Sequence, residues 1–248
     1  MQVRILPFGV LKDWLGVSTM DLPDGATVAS LLAQLAADRG RVPAATPVSI
    51  WSSIAVSVNA EYAAASQILR DGDEVGLLPP VSGGAADDPG RPQSSGGIRL
   101  TRDAINPEQL VAAAKHGADG AVVVFDGIVR NNSRGRQTLH LDYESYEEMA
   151  LKQMHELASQ ARERFSVRHV SIVHRLGRLM VGETSVLIVV ASAHRAQAYE
   201  ASRWLIDTLK RTVPIWKKET FVDGAVWADG EPFPESLAAT PPETPHAS

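Results

Sequence analysis

Residues 79–97 read PPVSGGAADDPGRPQSSGG, and this stretch divides the 248-residue chain. From position 85 it holds no apolar residue larger than alanine and is dense in Gly, Pro and Ser. Such a segment cannot bury enough surface to offset its ordering entropy, so residues 85–97 read as a flexible linker. The flanks differ in charge. Residues 1–84 carry five basic and eight acidic side chains, and residues 98–234 carry eighteen and seventeen. Two domains are therefore expected, 1–84 and 98–234, with most of the arginine in the second. Residues 235–248, ESLAATPPETPHAS, are polar and Pro-rich and read as a disordered tail.

Upstream of the divide, residues 2–8 alternate as a strand and residues 10–16 fit a short helix. Residues 27–37 (TVASLLAQLAA) place Val28, Leu31, Leu32 and Leu35 at helical spacing behind Thr27 as a cap. Residues 54–58 read as a β-branched strand ahead of a turn at Asn59 and Ala60. Asp71-Gly72-Asp73 is a tight turn into a last strand over 74–78. The order β-α-β-β, ending on an exposed strand, implies a small sheet with one helix across a face.

Downstream, Asn106 caps a helix that begins at Pro107. Residues 120–129 form a near-continuous apolar run and read as a central strand. Residues 131–136 (NNSRGR) are a polar loop, 139–146 a strand and 147–165 an amphipathic helix. Strands follow over 166–174 and 184–193, then a helix over 195–211 stopped by Pro214. A closing hairpin, 215–222 and 225–228, turns around Asp223-Gly224. The fold class is α+β.

Composition narrows the chemistry. The chain is 44% hydrophobic and 21% charged with a formal net charge of −5, so no global charge favours nucleic acid. No apolar run approaches the ~20 residues needed to span a bilayer. The opening MQVRILPFGV has neither a charged n-region nor a long apolar core, so no signal peptide and a cytoplasmic location are expected. There is no cysteine, which excludes disulfides, thiolate metal sites and a cysteine nucleophile. Any sulfur chemistry must use sulfur from another source.

Four constellations can carry chemistry. In PPVSGG, two prolines stiffen the exit from the last strand, and Gly83-Gly84 makes a thin tip that can enter a pocket closed to any Cβ. The other reading of Gly83-Gly84 is simply the start of the linker. Residues 208–219 (TLKRTVPIWKKE) place Lys210, Arg211, Lys217 and Lys218 within nine positions. Crowded like charges disfavour protonation, so one lysine amine can serve as base or nucleophile. The same pattern also describes a solvated helix end with cations at its C-terminal dipole. Residues 192–195 (SAHR) put His194 and Arg195 at a helix N-terminus, where an anion is favoured, or at an ordinary surface turn. Residues 127–130 (GIVR) end the apolar strand on Arg130, which can clamp an anion, whereas Arg134 and Arg136 read as mobile loop charges. Trp216, Trp227 and the His174-Arg175 pair read as structural.

The first domain resembles the molybdopterin synthase small subunits, ubiquitin-like β-grasp sulfur carriers. The resemblance rests on the first strand, Val58-Asn59, the DGDEV strand of 71–75 and the PPVSGG end of 79–84. The second domain resembles the molybdopterin synthase large subunits, described as an α/β hammerhead-type fold. It does so through DGAVV (119–123), GIVR (127–130), YESY (143–146), HRLG (174–177), SAHR (192–195) and the run from Leu209 to Glu219.

The resemblance implies catalytic lysines at Lys210 and Lys217. It implies substrate contacts at Ile128, Val129, Arg130, His194, Arg195, Lys218 and Glu219, and a sulfur-carrying terminus at Gly83 and Gly84. It further implies a cyclic pyranopterin monophosphate substrate and sulfur delivered as a glycine thiocarboxylate. No metal and no tightly bound cofactor are expected. Expected partners are an ATP-dependent adenylating activating enzyme, a sulfur donor, and a second copy of the chain bound through the C-terminal domain; neither nucleic acid nor membrane is expected. One departure stands out. Gly84 is followed by Ala85, so its carboxyl is tied up in a peptide bond; either a protease cuts after Gly84, which is the expectation, or the fused chain is an inactive carrier. A continuous helix over 195–211 would separate Arg195 from Lys210 by roughly 22 Å at 1.5 Å per residue. One pocket is therefore expected to draw on two subunits. The alternatives are an uncleaved fusion acting as a non-catalytic ubiquitin-like adaptor, or a lysine Schiff-base enzyme using Lys210.

Overall fold

A computed structural model describes residues 1–37, 51, 53–80 and 97–228. Gly83, Gly84, positions 85–96 of the expected linker and the 235–248 tail lie outside the described residues. The chain forms two compact units, one holding described residues 1–80 and the other 97–228.

In the first unit, β1 (Gln2–Pro7) alternates as expected and buries Val3 and Ile5. A 3-10 turn (Gly9–Asp13) stands where a short helix was expected. It is followed by β2 (Ser18–Asp21), α1 (Val28–Ala37), β3 (Ala55–Val58), β4 (Glu61–Ala63) and β5 (Glu74–Leu78). Helix α1 starts on a reciprocal cap. The Ser30 backbone N–H donates to Thr27 Oγ1 at 3.3 Å, and the Thr27 N–H donates to Ser30 Oγ at 2.8 Å. Its Val28, Leu31, Leu32 and Leu35 pack onto the sheet with Val3, Ile5, Val56 and Val75. The strand order is β2-β1-β5-β3-β4, with β1 and β5 parallel. This is the ubiquitin-like β-grasp arrangement.

Two expectations need correction here. β5, expected to be an exposed end strand, is the central strand and is buried along Val75–Leu78. The short β2 and β4 were absent from the sequence reading. The turn at Asn59 and Ala60 is as expected. Both residues have positive φ (51° and 62°), which suits the right-handed twist of a two-residue hairpin joining β3 to β4.

The second unit contains β6 (Ile98–Thr101), α2 (Pro107–Ala114), β7 (Ala121–Ile128), β8 (Asn132–Ser133), β9 (Arg136–Ser145) and α3 (Glu147–Phe165). Then come β10 (His169–Arg175), β11 (Gly177–Met180), β12 (Thr184–Ser192), α4 (Arg195–Thr212), β13 (Ile215–Phe221) and β14 (Gly224–Trp227). Asn106 caps α2 by accepting from the Gln109 N–H at 3.0 Å. One sheet runs β6-β10-β12-β7, and a second runs β11-β9-β13-β14, with β8 paired to β9.

Alternation along β12 divides the core between the two faces of the first sheet. Ile188 and Val190 pack with α3 and α4, while Leu187, Val189 and Ala191 pack with α2. The apolar run expected to be a central strand is β7, which is the edge of its sheet. Val124 and Ile128 are exposed on it (42% and 56%), so its hydrophobicity does not reflect burial on both faces. Arg136, expected to be a mobile loop charge, is held. Its guanidinium lies 3.9 Å from the Phe221 ring centroid and donates to Asp223 at 2.7 Å.

Candidate functional site

Helix α4 presents its apolar face, Ala198, Ala201, Leu205, Ile206 and Leu209, to the core. Arg195, Tyr199, Arg203 and Lys210 are exposed on the other side. At 3.6 residues per turn, Arg195 and Lys210 lie within about 60° of each other around the axis, and the fifteen-residue interval spans roughly 22 Å. The helix is unbroken between them. His194 is the N-cap residue and makes no side-chain capping bond. One solvent-facing stripe therefore carries the expected anion-binding pair at one end and an expected catalytic lysine at the other. Among the described residues, no hydrogen bond or ion pair holds the Lys210 ammonium.

The chain leaves α4 through Val213 and Pro214 and enters β13. Val213 closes the helix by donating to the Leu209 carbonyl at 3.0 Å. The Pro214 carbonyl accepts from the Tyr146 N–H at 3.1 Å, which fixes the start of β13 beside the end of β9. Strand alternation then sorts the three neighbours Lys217, Lys218 and Glu219. Lys217 and Glu219 share a face, and the Lys217 Nζ lies 3.1 Å from Glu219 Oε1. The Glu219 carboxylate is buried, so it serves Lys217 before it can serve a ligand.

Lys218 faces the other way. There it lies across from Asp142 in the register, with its ammonium 5.3 Å from the centroid of Trp227. Asp142 is gripped by Arg178 at 2.8 and 3.1 Å and approached by His140 at 3.3 Å. Lys217 and Lys218 thus belong to opposite surfaces of one sheet.

At the end of β7, Ile128 and Arg130 are exposed, whereas Val129 is buried with Leu141 and Leu179. The Val129 backbone is also occupied, donating to the Glu183 carbonyl and accepting from the Gly182 N–H. Only Ile128 and Arg130 of this trio therefore offer side chains to solvent. Among the described residues, no cluster of three or more His, Asp and Glu side chains has metal-ligand spacing.

Behind Lys217 lies a polar group that the sequence reading did not assign. Tyr143 is directly opposite Lys217 in the β9–β13 register. Burial pushes the Tyr143 hydroxyl above the ordinary tyrosine range; the nearby Ser185 hydroxyl works against that shift and the Glu219 charge adds to it. His174 meets the Tyr143 ring edge-on at 5.2 Å. Burial lowers His174 to about 4, despite its bond to the Arg175 carbonyl, so the imidazole is neutral at physiological pH. Tyr143 and His174 both sit inside stretches that carry the resemblance. Their roles depend on register, which no local pattern reveals.

The family model described as MoaE protein matches residues 100–212, and the ThiS family model matches residues 5–84. The molybdopterin synthase catalytic subunit of Pyrococcus abyssi is 40% identical over 127 residues, covering 51% of this chain and 86% of that protein. This chain belongs to the molybdopterin synthase catalytic subunit family. The human molybdopterin synthase catalytic subunit is 35% identical over 158 residues, covering 61% of this chain and 84% of its own length. A solved structure of molybdopterin synthase from Staphylococcus aureus superposes with a TM-score of 0.52 at 38% identity, covering 54% of this chain and 98% of that one. The catalytic-subunit match falls on the second unit, which carries Lys210 and Lys217. The ThiS match falls on the β-grasp unit. The chain thus joins both halves of a molybdopterin synthase, an enzyme of molybdenum cofactor biosynthesis.

Proposed function

We propose that the chain transfers sulfur from a thiocarboxylate on Gly84 to cyclic pyranopterin monophosphate, building the dithiolene of molybdopterin. A protease cuts after Gly84, an ATP-dependent enzyme adenylates the freed carboxyl, and a sulfur donor converts it to the thiocarboxylate. The sulfur then forms a C–S bond at a side-chain carbon of the pterin as that carbon's bond to oxygen breaks, the departing oxygen taking a proton. A transient acyl link joins glycine to the substrate through that sulfur, and water cleaves it, returning a carboxylate carrier. Two sulfurs require two charged tips per substrate.

The observation that carries this reading is the unequal setting of the two lysines in a chain that also holds a carrier-type domain. Lys217 is paired with a buried carboxylate. Held in that pair, Lys217 suits stabilising negative charge that develops on the substrate. Lys210, exposed at the helix end, is free to carry protons or form a covalent link. His194, Arg195 and Arg130 hold the phosphate and pterin. Because one stripe of α4 separates Arg195 from Lys210 by roughly 22 Å, the pocket combines Lys210 and Lys217 of one subunit with His194 and Arg195 of its dimer mate. Lys218, on the opposite sheet face, contributes only if that partner brings the surfaces together.

The test is reconstitution. The chain, cyclic pyranopterin monophosphate and a carrier bearing a C-terminal thiocarboxylate should yield the dithiolene product, and Lys210→Ala or Lys217→Ala should abolish it. Full turnover by either variant would overturn the assignment.

A further inference from the structure

The backbone that presents Arg130 is held by one tight turn. Met180, Val181, Gly182 and Glu183 carry the chain from β11 into β12, and the Glu183 N–H donates to the Met180 carbonyl at 3.1 Å. Gly182 has a φ of 89°, as a type II turn requires at its third residue. This turn clasps Val129 through both of its backbone groups. The Gly182 N–H donates to the Val129 carbonyl at 2.8 Å, and the Val129 N–H donates to the Glu183 carbonyl at 3.0 Å. Beyond the turn, the β12–β7 register shifts between Thr184 and Val186, and buried Ser185 donates its hydroxyl to the Gly127 carbonyl at 2.8 Å. On the far side of Arg130, the Asn131 carbonyl accepts from the Thr138 N–H at 3.0 Å. Arg130 is thus exposed between two neighbours whose backbones are bonded.

The Glu183 side chain fixes the turn itself. One carboxylate oxygen accepts from the Met180 N–H at 2.6 Å, and the other accepts from the Arg175 guanidinium at 2.9 Å. These two donors hold the Glu183 carboxyl below the ordinary carboxylate range, so it is an anion at neutral pH. Arg175 ends β10, an interior strand, and its side chain is only 14% exposed, so the pair anchors the turn to the body of the sheet.

We propose that Glu183 and Arg175 are positioning residues for the anion-binding strand end: they fix the turn, the turn fixes Val129, and Val129 sets where Arg130 meets the substrate. This rests on the sulfur-transfer reading, in which Arg130 holds the pterin or its phosphate. Such a grip is the same before and during reaction, so its loss falls on KM rather than kcat.

The experiment uses the full chain with cyclic pyranopterin monophosphate and a thiocarboxylated carrier. It compares wild type, Glu183→Gln, Arg175→Gln, Arg175→Lys, Arg130→Ala and the Glu183→Gln/Arg130→Ala double variant. Glu183→Gln and Arg175→Gln should each raise KM for the pterin about 3- to 10-fold with kcat within about twofold of wild type, and Arg175→Lys, which keeps the charge, should recover part of that loss. In the Arg130→Ala background, Glu183→Gln should change KM by less than about twofold, because its effect passes through Arg130. A substitution that only loosened the fold would cost the same in both backgrounds. A second measurement does not depend on turnover: hydrogen exchange at the Val129 amide, read by NMR, should speed in Glu183→Gln and in Arg175→Gln. If Glu183→Gln does not fold, the Arg175 variants carry the same expectation. Unchanged KM, unchanged Val129 exchange, or equal losses with and without Arg130 would each overturn the proposal. Failure of the underlying reading looks different, because wild type itself would then transfer no sulfur or Arg130→Ala would leave KM unaltered.

Discussion

Mixing two dead variants should restore life to a shared pocket. The perturbation is a Lys210→Ala chain combined with a His194→Ala/Arg195→Ala chain, each inactive alone. The expectation comes from α4, which is continuous from Arg195 to Thr212 and holds Arg195 and Lys210 on one exposed stripe roughly 22 Å apart. A pterin monophosphate is too small to bridge that interval. Two copies of α4 packed antiparallel across a two-fold axis would instead bring the N-terminus of one beside the C-terminus of the other. With equal amounts and random re-pairing, half the dimers are mixed. Each mixed dimer has one fully intact pocket of two, so about a quarter of wild-type activity should return. A pocket confined to one chain returns none. The assay is dithiolene formation after dissociation and re-pairing, with native mass spectrometry confirming mixed dimers. Confirmed mixed dimers without activity would refute the geometry.

Three further outcomes follow from local structure. His174 stays neutral in the folded state down to about 4, against 6.5 when exposed, so the unfolded chain takes up a proton first as pH falls. Stability from this group is therefore intact above 6.5 and lost between 6.5 and 4, by about 3 kcal/mol at ~1.4 kcal/mol per unit. Urea melts of wild type should steepen over that window relative to His174→Phe, and parallel curves would contradict the buried setting. At Gly120, an added Cβ would collide with the Ala193 carbonyl, immediately before His194. Gly120→Ala should lower stability by about 1–3 kcal/mol in denaturant melts; an unchanged midpoint would show that the backbone yields freely. Removing the guanidinium in Arg136→Ala should speed hydrogen exchange across the β8–β9 hairpin with little change in melting temperature, whereas unchanged exchange would mean that the contacts with Phe221 and Asp223 do not hold it.

Long, periodic elements were legible before any coordinates. Helix α3 lies at the expected bounds, and α4 runs one residue past its expectation before Pro214 intervenes. Both have apolar faces wide enough to announce the period. The missed strands β2, β4, β6, β8 and β11 have only two to four residues each, too few to show a period, and β2, β6 and β11 owe their conformation to partners distant in sequence. β7 misled because an apolar run records hydrophobicity and not position in a sheet. β5 misled in the opposite sense, since lying last among the strands of its domain says nothing about lying at the edge.

The site divides along the same line. Lys210, Lys217, His194 and Arg195 were visible as charges at element ends. The opposite facing of Lys217 and Lys218 follows from the two-residue period once 215–221 is known to be a strand. Glu219 as a partner of Lys217, and Tyr143 beside it, emerge only once β13 is known to pair with β9. These are tertiary facts without a local signature.

The central claim concerns Gly84, whose carboxyl the sequence locks to Ala85. Intact-mass spectrometry of the protein purified from its own host tests it directly. The account predicts an N-terminal fragment ending at Gly84, part of it heavier by the substitution of one sulfur for one oxygen. A catalytically competent protein found only as an uncut chain, with no sulfur-bearing terminus, would contradict it.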